Sequence, residues 1–243
     1  MPAEDGVIDG MDATLRHKVG KTWVRRAHEE LKAAMSFTLL TRELLTVGAP
    51  PDVLARVARA VGDEVRHAEI LRALGSRYLG EEARWPPGMS VEPSALGDHP
   101  RLLASLHAVT LCCVSETIAS VFIEASHEAA VSPSVRASLG IVLADEVEHG
   151  RAGWAYLSSL RDDRAVMAAV QGAMVPMVRK ALACWLDFEA ITLPDGAPEH
   201  GLLSNDEVRA CVITALRDLV LPGLSQVGLD VRAATAVLAE PTA

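Results

Sequence analysis

The stretch GDEVRHA at residues 62–68 is nearly repeated as ADEVEHG at residues 144–150. Both copies contain the pattern DEVxH. Residues three positions apart share one face of an α-helix, so Glu64 and His67 can point at a common atom, as can Glu146 and His149. One carboxylate and one imidazole from adjacent turns suit a first-row transition metal. The repeat therefore predicts two half-sites for metal on two helices.

Both Glu-x-x-His pairs fall within the apolar stripes of their segments, which are expected to face the core. A carboxylate buried there without a compensating charge is very costly, and a metal ion supplies that charge. The stripe residues are Val57, Ala60, Leu71 and Leu74 around the first pair, and Leu139, Val142, Gly153 and Leu157 around the second.

A further acid is expected from the segment that precedes each pair. In the first segment, Glu30 lies on an apolar seam with Trp23 and Phe37, whereas Glu29 lies on a more polar line with Arg26. Glu30 is therefore the better candidate for a ligand.

In the third segment, Glu116 lies on an apolar stripe and is the leading candidate. Counting from the turn at residues 132–133 places it about one helical turn from the height of Glu146, which side-chain reach can cover. The same count places Glu124 slightly further from the height of Glu146, on the opposite side along the helix axis. Because Glu124 forms a Glu-x-x-His pattern of its own with His127, these two residues stay open as alternative ligands.

Prolines and glycines divide the chain into long stretches that favour helix. Half of the residues are hydrophobic and only 4% are aromatic, so Ala, Leu and Val must fill the core, and Ala and Leu favour helix over strand. The predicted helices cover about residues 21–46, 52–79, 101–130, 135–160, 165–188 and 206–227, with loops near 81–100 and 193–203.

The connections after the first and third helices are short, which predicts antiparallel neighbours. We therefore predict an all-α fold: an antiparallel four-helix bundle over residues 21–160, with additional C-terminal helices that pack on it over 161–243. Residues 1–20 are expected to be an N-terminal extension.

The charge distribution limits the partners. A net charge of −9 with no run of basic residues argues against a nucleic-acid partner. Residues 1–11 are acidic with no long apolar run, unlike a secretory signal, and no stretch has the roughly 18 uncharged apolar residues of a membrane span. We expect a cytoplasmic protein that binds neither nucleic acid nor membrane, with its oligomeric state, including a homo-oligomer, left open.

The remaining cysteines and histidines give weaker signals. The four cysteines form no CxxC pair, so they are expected to be reduced and buried. His28, His99, His107 and His200 are expected at the surface or as helix caps.

The ligand pattern resembles the ferritin-like di-iron carboxylate proteins, in which two helices each contribute a Glu and two others a Glu-x-x-His. In the bacterial multicomponent monooxygenases and their relatives the motif is D-E-x-R-H, which residues 63–67 match fully. Glu148 stands where the second copy would have Arg. The resemblance implies that Asp63 and Asp145, with Arg66 beside them, orient the ligand histidines by accepting their ring N–H groups.

The departures from known members point to a stand-alone protein. Further helices follow residue 160, and the Cys-rich domain of rubrerythrin is absent, so neither a ferritin nor a rubrerythrin proper is expected. By the resemblance, Glu64 and Glu146 would bridge two iron ions, or two manganese ions. Glu30 and Glu116 would be terminal ligands, with His67 and His149 completing the sites.

The resemblance implies an oxidoreductase that activates O2 or peroxide, with an electron donor and a small organic substrate that the sequence does not name. The C-terminal helices and the Pro-rich loop could shape a pocket for that substrate. Two alternatives stay open. One is a ferroxidase or iron-handling protein with no organic substrate, and the other is a metal-free helical interaction module whose buried acids pair with Arg.

Overall fold

Helices are the only regular secondary structure in the part of the chain that the computed structural model describes, residues 4–85, 99–188 and 197–240. The prediction of an all-α fold is confirmed. Parts of both predicted loops, residues 86–98 of the first and 193–196 of the second, lie outside the described residues. The helices are α1 (Gly6–Asp9), α2 (Ala13–Thr46), α3 (Pro51–Leu79), α4 (Pro100–Ala108), α5 (Glu116–Ala129), α6 (Pro133–Ser159), α7 (Arg164–Phe188), α8 (Asn205–Thr214), α9 (Leu221–Gln226) and α10 (Arg232–Val237).

Two π-helical segments, Val109–Ser115 and Ala215–Val220, join α4 to α5 and α8 to α9 without a break. A 3₁₀ turn, Pro198–His200, precedes α8. The π-helix has wider turns than the α-helix, is rare, and occurs frequently at functional sites. Neither π segment contains a proline or a glycine, although Pro222 and Gly223 follow the second one closely. The sequence predicts both regions as parts of continuous helices.

The helix ends follow from local chemistry. The Asp12 carboxylate accepts hydrogen bonds from the backbone N–H groups of Thr14 and Leu15 and so starts α2. Ser132 caps α6 in the same way, with a proline at the first position. Gly80 ends α3 in the left-handed conformation, with φ of 75°.

The first long helix begins at Ala13, eight residues before its predicted start near Lys21. The boundary placed at residue 20 therefore falls inside α2. Gly20 does not end the helix, because it lies where α3 approaches closely. A Cβ added there would be 2.9 Å from the Leu79 side chain.

The helices pair in a closed order. α2 packs along α3, α3 packs on α6, and α6 packs on α5 and on the first π segment. The α2–α3 pair is antiparallel, because Gly20 near the start of α2 lies against the end of α3. The α5–α6 pair is antiparallel as well, since Gly140 lies near His127 while Gly150 and Gly153 lie near Cys112.

The C-terminal helices pack on this arrangement. α7 lies against α4, α8 lies against α5 and α7, and α10 lies against α7. Pro176 lies inside α7. The Trp185 ring of α7 contacts the Phe122 ring of α5, with 5.6 Å between the ring centroids.

That helix, Pro100–Ala129, is long and apolar enough to cross a membrane by length and composition, with a mean hydropathy of 1.7 in its most apolar 18-residue window. However, 56% of that window is buried inside the structure, and core helices give the same signal. Composition alone therefore does not place this helix in a membrane. The expectation that the chain does not bind a membrane stays a prediction.

Two of the histidines expected at the surface or as helix caps are in part or fully buried. His200 is only 4% exposed, and its Nδ1 lies 2.9 Å from the Tyr78 hydroxyl. Burial lowers the pKa of His200, which favours the neutral ring. His107 is partly exposed, and its Nδ1 lies 2.8 Å from a carboxylate oxygen of the buried Glu43.

The glycine contact between α6 and the first π segment gives a test of the packing. A Cβ at Gly153 would lie 2.4 Å from Cys112 Cβ, so Gly153→Ala forces the two helices apart. We expect it to lower the free energy of unfolding by about 1–3 kcal/mol, measured by urea denaturation.

Gly172→Ala in α7 is the matched control, because nothing lies within 4 Å of an added Cβ there. It should stabilise the protein by about 0.5–1 kcal/mol through helix propensity alone. Equal effects of the two substitutions would contradict the close approach at Gly153.

Candidate metal centre

The structure brings the six leading candidates for metal ligands together in the interior. Five of them are at most 5% exposed, and the Glu30 side chain is 17% exposed. They come from four helices: Glu30 from α2, Glu64 and His67 from α3, Glu116 from the start of α5, and Glu146 and His149 from α6.

The six side chains form two overlapping groups, each able to hold a metal ion. In each group, one ligand atom per residue lies within 4.8 Å of the others. Glu64 and Glu146 belong to both groups, while Glu30 joins His67 in one and Glu116 joins His149 in the other. The two imidazole rings lie 5.9 Å apart between centroids. This is the arrangement in which two carboxylates are shared between two adjacent positions.

Distances from the imidazole nitrogens show how tight the cluster is. His67 Nδ1 lies 3.4 Å from a Glu146 oxygen and 3.6 Å from a Glu64 oxygen. His149 Nδ1 lies 3.1 Å from the other Glu64 oxygen and 3.5 Å from the other Glu146 oxygen. Each ring therefore faces both shared carboxylates.

The atoms at the centre lack hydrogen-bond partners among the described residues. They are both carboxylate oxygens of Glu64, one oxygen of Glu146, and Nδ1 of His67 and of His149. Buried polar groups are nearly always hydrogen-bonded, so a group of such atoms facing one another needs an explanation. A bound cation would satisfy all of them, and mixed oxygen and imidazole ligands suit first-row transition metals.

The charges of the cluster shift the pKa values of its members. Burial, followed by repulsion from Glu64 and Glu146, raises the pKa of Glu30 well above its ordinary value. Burial, followed by the charge of Glu146, does the same for Glu116. These two carboxyl groups therefore retain protons that a metal ion would displace.

The histidines and Glu146 shift in the opposite sense. Burial by itself lowers the pKa of His67, but the nearby carboxylates of Glu146 and Glu64 outweigh it and raise that pKa to about 11. The pKa of His149 is raised in the same way, against the effect of burial, by the nearby carboxyl groups of Glu116 and Glu146. Burial would raise the pKa of Glu146, yet its proximity to the Glu116 carboxyl group and to the two rings lowers it. Without metal, protons on the imidazoles partly neutralise the shared carboxylates.

The outer nitrogens of the two rings face aspartates on opposite helices. His67 Nε2 on α3 lies 3.1 Å from an Asp145 oxygen on α6, and His149 Nε2 on α6 lies 3.5 Å from an Asp63 oxygen on α3. A carboxylate only accepts hydrogen bonds, so each Nε2 donates. This orientation turns each Nδ1 toward the glutamates, as the resemblance implies for Asp63 and Asp145.

Arginines hold the two aspartates in turn. Arg66 donates to Asp145 at 2.6 Å and pairs with Asp63 at 2.9 Å. Burial would raise the pKa of Asp145, but bonds from His67 and Arg66 outweigh it and lower that pKa. Asp145 is thus kept ionised as an acceptor for the ring.

A second arginine in this network was missed in the sequence. Arg59 lies 3.4 Å from Asp63 and 3.9 Å from Asp145, so it takes part of the role expected for an Arg at position 148. Glu148 itself points away to Arg56, at 3.1 Å. The available signal was the spacing of four residues between Arg59 and Asp63 on one helix face.

Glu124 and His127, the alternative ligands, lie outside both groups of the cluster. Glu124 is exposed, and it lies eight residues beyond Glu116, about 12 Å along the helix. Among the described residues, the structure places Glu116 at the centre instead.

A cavity of about 290 Å³ adjoins the cluster, and all four glutamates line it. Most of its wall is apolar, and α7 contributes Cys184 and Trp185.

The expectation that the cysteines are buried holds for Cys112, Cys113 and Cys211 but is wrong for Cys184, which is exposed.

Comparison with protein-family models, with curated proteins and with solved structures finds no match to this chain. The observations that bear on its function are therefore the side-chain geometry and the sequence pattern themselves.

The histidine–aspartate contacts predict a specific effect on metal binding. Asp145→Asn removes the charged acceptor of the His67 ring N–H, so the orientation of the ring is no longer fixed. The affinity for Fe²⁺ or Mn²⁺, measured by anaerobic titration, is expected to fall about 10- to 100-fold.

Glu148→Gln is the matched control, three residues further on in the same helix and paired with Arg56 outside the cluster. Its metal affinity should equal that of the unmodified protein. An Asp145→Asn protein with unchanged affinity would show that this contact does not orient the ring.

Proposed function

We propose that the protein is a ferritin-like oxidoreductase with a carboxylate-bridged pair of iron ions, or of manganese ions. The observation that carries the proposal is the overlap of two ligand groups at Glu64 and Glu146. A single-ion site would have no need for two imidazoles on opposite helices, each facing both of these carboxylates. The Glu64 oxygens and the Nδ1 atoms of both histidines, which have no hydrogen-bond partner among the described residues, further support it.

The fold proposed with it is an antiparallel four-helix bundle of α2, α3, the α4–α5 helix and α6. The pairing of α2 with α3, of α3 with α6 and of α5 with α6 supports this arrangement. In such bundles, metal sites are built in the core from side chains on facing helices.

Glu64 and Glu146 would bridge the ions, Glu30 with His67 would complete one site, and Glu116 with His149 the other. Two such ions, when bound, would supply electrons to O2 or peroxide, and an external donor would return the electrons to the ions. The chain's own residues hold this centre in place. Asp63, Asp145 and Arg66 orient the imidazoles, and the apolar neighbours exclude bulk water.

Glu30 differs from the other acids in position. All four glutamates line the cavity, but the Glu30 side chain is 17% exposed, whereas the Glu64 and Glu146 side chains are at most 3% exposed. A carboxylate at this border can change its contacts at lower cost than one enclosed in the core. We assign to Glu30 the role of the movable terminal ligand on the side where a substrate would lie.

Two observations favour this function over the alternatives. In a metal-free interaction module the buried acids would pair with arginines, but Arg66 and Arg59 pair with Asp63 and Asp145 rather than with the glutamates. An iron-handling protein needs no organic pocket, whereas an apolar cavity adjoins this cluster.

Iron stoichiometry tests the proposal. Anaerobic reconstitution with Fe²⁺ should give two ions per chain and no further uptake, and exposure to O2 should produce the near-ultraviolet absorption of ferric carboxylate centres. Glu64→Gln should reduce binding to one ion or fewer, because both sites lose a ligand.

Glu124→Gln is the matched control, since Glu124 is an exposed glutamate outside the cluster. It should retain two ions per chain. Uptake of many ions per chain would support iron handling instead, and fewer than one ion in the unmodified protein would rule out the metal centre.

A further inference from the structure

We propose that the cavity beside the cluster binds an uncharged aromatic molecule of about 12 non-hydrogen atoms. A cavity of about 150 Å³ lined by Leu, Ile and Phe holds benzene, so the cavity of about 290 Å³ has room for about twice as many atoms. That this molecule is the substrate rests on the proposed function, whereas its binding in the cavity does not.

Three aromatic side chains belong to the wall. Trp23, Phe122 and Trp185 line the cavity, and the rings of Phe122 and Trp185 meet edge to face at 5.6 Å between centroids. Leu111 and Val142 add branched aliphatic surface. Rings inclined to one another favour a flat, rigid guest, because edge and face contacts with an aromatic ligand are both available.

The charged groups of the wall outside the cluster, Arg26 and Glu29, are already engaged. The Arg26 guanidinium lies 5.0 Å from the Trp23 ring and 4.7 Å from the Phe122 ring, and it donates to the Gly201 carbonyl at 3.2 Å. Glu29 pairs with Lys32 at 2.7 Å. An anionic ligand would meet the glutamates of the wall and lose its hydration in a largely apolar cavity, which is costly.

The two ends of the cavity differ in chemistry. One end is formed by the glutamates of the cluster, and the exposed Cys184 marks where the cavity meets the surface. A bound molecule would therefore lie between the cluster and Cys184. It should shield this thiol, whereas the other three cysteines are buried.

The experiment compares 2-naphthalenemethanol with its charged analogue 2-naphthoate, under anaerobic conditions and with the full chain. Binding is followed by tryptophan fluorescence and by the rate at which N-ethylmaleimide alkylates Cys184. The alcohol should quench the fluorescence and slow the alkylation, and the carboxylate should bind at least about tenfold more weakly.

Two separate variants fill the cavity, Ala33→Leu and Ala119→Leu, both at positions that line it. Each should weaken binding of the alcohol at least about tenfold, because the added side chain occupies the space of the ligand. Ala58→Leu, at an exposed position of α3, is the matched control and should bind as the unmodified protein does. Circular dichroism verifies that each variant is folded.

Iron stoichiometry measured on the same samples separates the two proposals. Two ions per chain without binding of the alcohol would overturn the cavity assignment alone, and binding without metal would overturn the proposed function alone. Binding that persists in both folded cavity variants, or a carboxylate that binds as well as the alcohol, would overturn the assignment of this ligand class to the cavity.

Discussion

The electrostatic repulsion among four glutamates in one small volume is the constraint on which the rest of the structure depends. Burial and mutual repulsion keep protons on Glu30 and Glu116, and the protonated imidazoles of His67 and His149 offset the charge of the other two. Helices must still hold these groups together out of water. The packing of α2 with α3 and of α5 with α6 provides this support.

Much of the centre could be predicted because a helix places residues three apart on one face. The two DEVxH copies identified Glu64, His67, Glu146 and His149 without any structure. Glu30 followed from its apolar seam, since a buried acid stands out among Trp23 and Phe37. The helix ends were predicted within about two residues wherever a proline or a glycine cap marks them.

The parts that could not be predicted depend on contacts between segments distant in sequence. Gly20 indicates a helix end locally, but it lies within α2 because Leu79 needs its space. Arg26 belongs to a polar line in the sequence, yet it is 5% exposed, since aromatic rings cover its guanidinium. The burial of His200 depends on Tyr78, more than a hundred residues earlier.

No proline or glycine in the sequence marks the π segment that precedes Glu116. The count that set the height of Glu116 ran back from the turn at residues 132–133 through α5, which is a regular helix, so the π segment on the other side of Glu116 does not affect it. The structure accordingly places Glu116, and not Glu124, in the cluster.

The crossed contacts of the histidines with aspartates make the two DEVxH copies mutually dependent. Each copy supplies the histidine of one ligand group and the aspartate that orients the histidine of the other. The two copies are therefore similar in sequence, but neither can replace the other. A substitution in one copy is expected to disturb both halves of the cluster, and an intact second copy would not compensate for it.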